Sequence, residues 1–172
     1  MPFVFGAVGD DGYNVVLVLH ILCAIVGFGA VMLNGVYAAQ VRSRRGSEGL
    51  AIAEANFRVS KVAMYFVYAV ILLGFALVGM SDKAWKFDQT WIWLAIVLWV
   101  AAVGVAHGAI VPREKQVVAL LREQVVAGDG PGAAAGSEIR IEQLMRQVAG
   151  FGLLYAVAVV AILALMVWKP GL

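Results

Sequence analysis

Four apolar runs, each without a formal charge, decide what this chain can fold into. They occupy residues 15–39, 62–80, 89–111 and 148–168. At about 1.5 Å of rise per residue, each is long enough as a helix to cross a hydrocarbon core about 30 Å thick. Hydrophobic residues make up 63% of the chain and charged residues 14%, with a mean hydropathy of +0.90. A soluble domain of this length does not carry such a balance. The expected fold is therefore all-α: a single polytopic domain over residues 1–172, built as a four-helix transmembrane bundle.

The basic residues sort by connection. Arg42, Arg44, Arg45, Arg58 and Lys61 follow the first span, and Arg113, Lys115, Arg122, Arg140 and Arg146 follow the third. Only Lys83, Lys86 and Lys169 remain for the other side. The positive-inside rule then puts segments 40–61 and 112–147 in the cytoplasm and both termini outside. The N-terminal MPFVFGAVGDDGYN has no Lys or Arg and reads as a translocated tail rather than a signal peptide.

Along the first span, His20, Ala24, Gly27, Val31, Asn34 and Ala38 form one stripe of small and polar residues. Small residues let a neighbouring helix approach closely, and polar ones on the same stripe face protein rather than lipid. Gly46 is expected to break the chain and Ser47 to cap the next helix, which runs through SEGLAIAEANFRVSK into the second span with Glu54 and Arg58 paired at i, i+4. Trp85, Phe87, Trp91 and Trp93 around the short loop read as an interfacial aromatic belt. Pro112 should kink or end the third span. Beyond it, apolar residues at 117, 118, 120, 121, 125 and 126 mark an amphipathic helix that lies on the membrane or extends the bundle. GDGPGAAAGS (128–137) reads as a flexible linker, with Ser137 capping a helix that begins at Glu138.

Two intramembrane histidines raise a haem b reading, because an ionisable residue within a span is a functional candidate by default. Rise along the helices puts His20 roughly 9 Å below the outer surface and His107 roughly 27 Å down. One iron cannot take both. A haem would use His20 or His107 with another ligand, and Met64, Tyr65 and Tyr68 are the candidates at the depth of His107. Cu(I) is the metal alternative at His20 and Cys23, three residues apart, although the lone Cys23 also suits simple packing. There is no nucleophile–base pair, phosphate loop or zinc motif, and nothing implies nucleic acid. No catalytic residue is assigned.

The residues VLHILCAIVGFGA around His20 resemble the opening of small bacterial membrane proteins around the copper-resistance D (CopD) group. WIWLAIVLWV and the later IVPREK look like the third helix of a four-helix integral-membrane family in that neighbourhood. This resemblance covers most of the chain and implies the bacterial cytoplasmic (inner) membrane. The same opening is similar to that of the bacterial four-helix protoporphyrinogen oxidase, in which the matching histidine is tied to haem. That role would carry over to His20 alone. The enzyme's later-helix lysine has no counterpart within these spans. Three functions follow, in this order: an accessory or assembly subunit that meets other membrane subunits or its own copies in the bilayer, a haem-binding redox or haem-metabolism protein using His20, and a copper-handling protein.

Overall fold

The computed structural model describes residues 7–44, 46–127 and 134–171. Six α-helices account for most of them: α1 (Asp11–Met32), α2 (Asn34–Ser43), α3 (Gly46–Gly79), α4 (Thr90–Val105), α5 (Val111–Ala127) and α6 (Ala134–Trp168). A π-helical turn, Ala106–Ile110, joins α4 to α5. The described residues contain no strand. Four continuous rods, Asp11–Ser43, Gly46–Gly79, Thr90–Ala127 and Gly136–Trp168, are long and apolar enough to span a membrane. The protein is a four-helix transmembrane bundle. One end carries the 81–89 loop, Tyr13 and Lys169, and is called the aromatic end below. The other, where α2 meets α3 and where α5 ends, is the basic end.

The outer faces explain themselves by solvent. Val15, Leu22, Ile25, Leu72, Leu153 and Val157 are all exposed on the bundle surface. In lipid such side chains need no further cover, and helices satisfy their own backbone polar groups. The interior is assembled from small and β-branched residues, with Ala38, Ala63, Val67, Ala102, Val117 and Val148 all buried.

The stripe on the first span packs as its spacing implies. Gly27, Val31, Asn34 and Ala38 are buried against α3 and the rest of the core. The tightest point is Gly27. A Cβ built there would stand 2.8 Å from the main-chain nitrogen of Val67 and 3.1 Å from Phe66 Cβ. The α1 and α3 backbones are therefore in contact, and no side chain fits between them.

Three expectations change. Pro112 does not end the third rod, which continues to Ala127. The π turn immediately before it widens the helix, and Val111 N–H bonds Ala106 O across the wider ring. A proline ring clashes with the carbonyl one turn back in a regular helix, and a local π turn relieves such a conflict without breaking the rod. Ser137 does not cap α6, which already begins at Ala134; its hydroxyl accepts a 2.7 Å hydrogen bond from Gln124 Nε2 of α5. The linker expected over 128–137 is thus helical from Ala134 onward, while residues 128–133 lie outside the described residues. The aromatic belt is also divided. Trp93 and Phe87 are exposed, but Trp91 is buried and Trp85 half-buried, both turned toward the bundle interior.

The helix beyond Pro112 extends the bundle rather than lying apart from it. Val117, Val118 and Leu121 are buried, and Arg122 reaches across to Glu54 at 2.7 Å while Glu54 also meets Arg58 at 3.6 Å. Gly46, at φ +59, marks the turn between α2 and α3, a left-handed geometry that suits glycine.

The Gly27 contact makes a direct prediction. Gly27→Val should lower the stability of the detergent-purified protein by about 2 kcal/mol or more, because the overpacking falls on backbone that cannot swing aside. Gly104→Val, where an added Cβ meets nothing within 4 Å, should change little. Thermal unfolding of the two variants beside wild type measures both.

Candidate functional site: a cavity at the aromatic end and a polar cluster at the basic end

Between α1, α3, α4 and α6, toward the aromatic end, lies a cavity of about 520 Å³. That is in the range of sites that take cofactors and other small molecules, about 300–1,000 Å³. Its walls are almost wholly apolar, with Phe28, Phe75, Trp91 and Trp99 supplying aromatic surface. Two thioethers, Met32 and Met166, also line it. Its polar groups are few: His20 in the wall, and Tyr13, Trp85 and Lys169 toward the rim.

His20 is held by α3. Its Nδ1 lies 3.0 Å from the carbonyl oxygen of Val70. A carbonyl only accepts, so Nδ1 carries the hydrogen, and Nε2 is left with its bare lone pair. Gly74 makes this placement possible, because a Cβ there would stand 3.4 Å from His20 Cε1. A larger side chain would press on the ring. Histidines that ligate a metal characteristically donate their other ring N–H to a carbonyl in this way, which fixes the tautomer and the ring plane.

At the rim, Trp85 Nε1 donates to Tyr13 Oη at 3.0 Å. The Lys169 ammonium lies 4.1 Å from the centre of the Trp85 ring and 5.8 Å from that of Trp91. Lys169 has φ +44, so the chain turns sharply at the end of α6 and brings the cation back over the indoles. The mouth therefore carries one positive charge on an aromatic seat.

The other histidine is elsewhere. His107, on the π turn, is hydrogen-bonded through Nε2 to the Tyr68 hydroxyl, and the two rings stack with centroids 6.0 Å apart. Tyr68 in turn meets Trp99 edge-on at 6.4 Å. Neither His107 nor Met64 lines the cavity. Met64 is buried in the core, and Tyr65 is 72% exposed on the outer face of α3. Cys23 is a free thiol that packs against the core. It does not line the cavity with His20, and no group of three His, Cys, Asp or Glu side chains is arranged to hold a metal among the described residues.

The basic end holds a second arrangement that the sequence reading did not assemble. Asn34, Asn56, Ser60 and Glu114 are all at least 95% buried, at 0%, 5%, 2% and 3% exposure. Asn56 Nδ2 donates to Glu114 Oε1 at 3.0 Å, and Ser60 Oγ lies 3.1 Å from the same oxygen and 3.2 Å from Asn34 Oδ1. Asn34 follows Leu33, the residue between α1 and α2, and Glu114 follows the π turn. A signal for Glu114 was present: it sits one turn before the buried Val117, Val118 and Leu121, on the same stripe. Asn56 and Ser60 likewise occupy the buried α3 stripe between Ala53 and Ala63.

Losing one donor in this cluster should be costly. Asn56→Ala removes a hydrogen bond to a buried carboxyl and should destabilise the protein by about 1–3 kcal/mol. Arg146→Ala, which breaks an exposed ion pair with Glu142, should cost under about 1 kcal/mol. Parallel thermal unfolding in detergent checks the contrast.

No curated protein and no solved structure matches the chain. A family model described as a predicted integral membrane protein (DUF2269) matches residues 14–170. That span takes in every helix but the first turn of α1, and with it the cavity and the polar cluster: the chain belongs to this family of predicted integral membrane proteins.

Proposed function

We propose that the protein binds haem b, or a closely similar planar metallo-cofactor, in the cavity at the aromatic end, where His20 Nε2 would hold its metal. The observation that carries this reading is the hydrogen bond from His20 Nδ1 to the Val70 carbonyl, which leaves an unprotonated nitrogen on the wall of a cofactor-sized apolar cavity. The residues fit the group. Aromatic and aliphatic walls suit a macrocycle, Met166 is a thioether that would be able to serve as a second ligand, and Lys169 at the rim suits a carboxylate substituent. A bound haem would supply one-electron chemistry there. The chain's own part is to present the imidazole, exclude water and hold a cation at the mouth.

The resemblance of VLHILCAIVGFGA to the four-helix protoporphyrinogen oxidase opening supports the same assignment at the same histidine, within the CopD-like neighbourhood. The copper reading draws less support, because Cys23 and His20 do not share the cavity. The accessory-subunit reading is retained as the alternative that a cofactor-free protein would favour. The distribution of Lys and Arg supports placing the basic end in the cytoplasm and both termini outside a bacterial inner membrane.

A reduced-minus-oxidised absorption spectrum of the protein, expressed with ample haem and purified in mild detergent, tests the assignment. Wild type should show a Soret band and an α band. His20→Ala should abolish them, and Gly74→Val, which displaces the imidazole, should weaken or shift them. A flat wild-type spectrum, or bands unchanged in His20→Ala, would sink the proposal.

A further inference from the structure

The cluster at the basic end leaves atoms of a buried carboxyl and of two buried amides without partners. Ser60 Oγ stands within hydrogen-bond distance of both Asn34 Oδ1 and Glu114 Oε1, at 3.2 and 3.1 Å. A hydroxyl has one hydrogen and can donate to only one of them. Asn34 Nδ2, Asn56 Oδ1 and Glu114 Oε2 are buried with no hydrogen-bond partner. Turning the Asn34 amide over would give Ser60 a second hydrogen but strand Asn34 Oδ1 in its place. Turning these side chains supplies no partner for Asn56 Oδ1 or Glu114 Oε2; a proton on Glu114 or a bound cation does.

Among the described residues, no side-chain cation pairs with Glu114. Its neighbour Arg113 turns away, bonding Gln147 Oε1 and the Ala109 carbonyl and lying 4.7 Å from the Phe151 ring centre. On α3, Glu54 takes both Arg58 and Arg122. On α6, Arg146 is paired with Glu142. An ionised carboxylate buried without a counter-charge costs several kcal/mol.

We propose that Asn34, Asn56, Ser60 and Glu114 form a binding site for one small monovalent metal cation, Na⁺ in particular. The donors are the Asn34 amide oxygen, the Ser60 hydroxyl, the Glu114 carboxylate and, once its amide turns Nδ2 away from the carboxyl, the Asn56 oxygen, an all-oxygen set that selects hard cations over copper or zinc. A single carboxylate balances a single charge. The spacing of the oxygens sets the size: ligands 3.1–3.2 Å apart at right angles about a common centre lie roughly 2.2 Å from it, short for a large ion. With the cation in place, the Ser60 hydrogen is free to bond the carbonyl one turn back on α3, as helical serines do. Among the described residues, the loosened turn at Leu33 and the π turn each precede a ligand of the site. Such irregularities recur at functional sites in helical proteins.

The test is thermal unfolding of the full-length protein in detergent at fixed pH and ionic strength, with NaCl exchanged stepwise for choline chloride or KCl. Na⁺ should raise the unfolding temperature saturably, by roughly 3–8 °C, relative to choline, and K⁺ should resemble choline. Glu114→Gln should abolish the Na⁺ response, and Ser60→Ala should raise the concentration for half-effect at least about tenfold. If Glu114→Gln does not fold, the wild-type salt series and Ser60→Ala still decide. Equal unfolding temperatures in Na⁺ and choline overturn the site, as does a full Na⁺ response in Glu114→Gln or, should that variant not fold, in Ser60→Ala. An equal response to K⁺ overturns the assignment to a small ion.

Discussion

Everything in this bundle hangs on the contact of α1 with α3, where Gly27 lets two backbones touch. In a bilayer no hydrophobic force drives apolar helices together, so close packing and hydrogen bonds must do so. The α1 stripe supplies both. Gly27 meets the backbone at Phe66 and Val67, His20 meets the Val70 carbonyl seven residues toward the aromatic end, and Asn34 meets Ser60 seven residues toward the basic end. One chain runs down as the other runs up. Three contacts at heptad spacing fix the register between them, with a polar group at each end and a glycine at the middle.

The two ends of that seam are built differently. Toward the aromatic end the helices leave space, and large rings line a cavity instead of filling it. Toward the basic end they close over four buried polar side chains. The less regular backbone gathers there: the first rod loosens at the single residue Leu33 without breaking, and the third opens into a π turn at Ala106–Ile110. Asn34 directly follows the first of these and Glu114 lies four residues beyond the second. His107 rides on the same π turn, but its partner is Tyr68 and it takes no part in the cavity.

Much of this was legible in the residues. Apolar runs without charge name the four spans, because length and hydropathy act locally. The stripe from His20 to Ala38 names the buried face of the first span, and burial at Gly27, Val31, Asn34 and Ala38 follows it. The cavity was not legible, since it exists only where four helices fail to fill a common space. Nor was the inward turn of Trp91, because an indole beside a membrane surface satisfies the belt pattern whichever way it faces. Glu114 was half visible. Its neighbours Arg113 and Lys115 made it look like solvated charge, and only its phase with Val117, Val118 and Leu121 told otherwise. Pro112 misled for a related reason: the rule that proline ends a helix assumes a regular turn before it, and here the turn is π-helical.

The protonation of one imidazole is the most direct test of the account. Nitrogen-15 NMR of histidine-labelled, haem-free protein in lipid bilayers reads it without any ligand, and His107→Gln leaves His20 as the only imidazole. At neutral pH the account predicts a hydrogen on Nδ1 and a bare Nε2, the arrangement imposed by the Val70 carbonyl. A hydrogen on Nε2 would mean that the lone pair is turned against α3 and that His20 presents no ligand to the cavity, and the assignment of the site would fall with it.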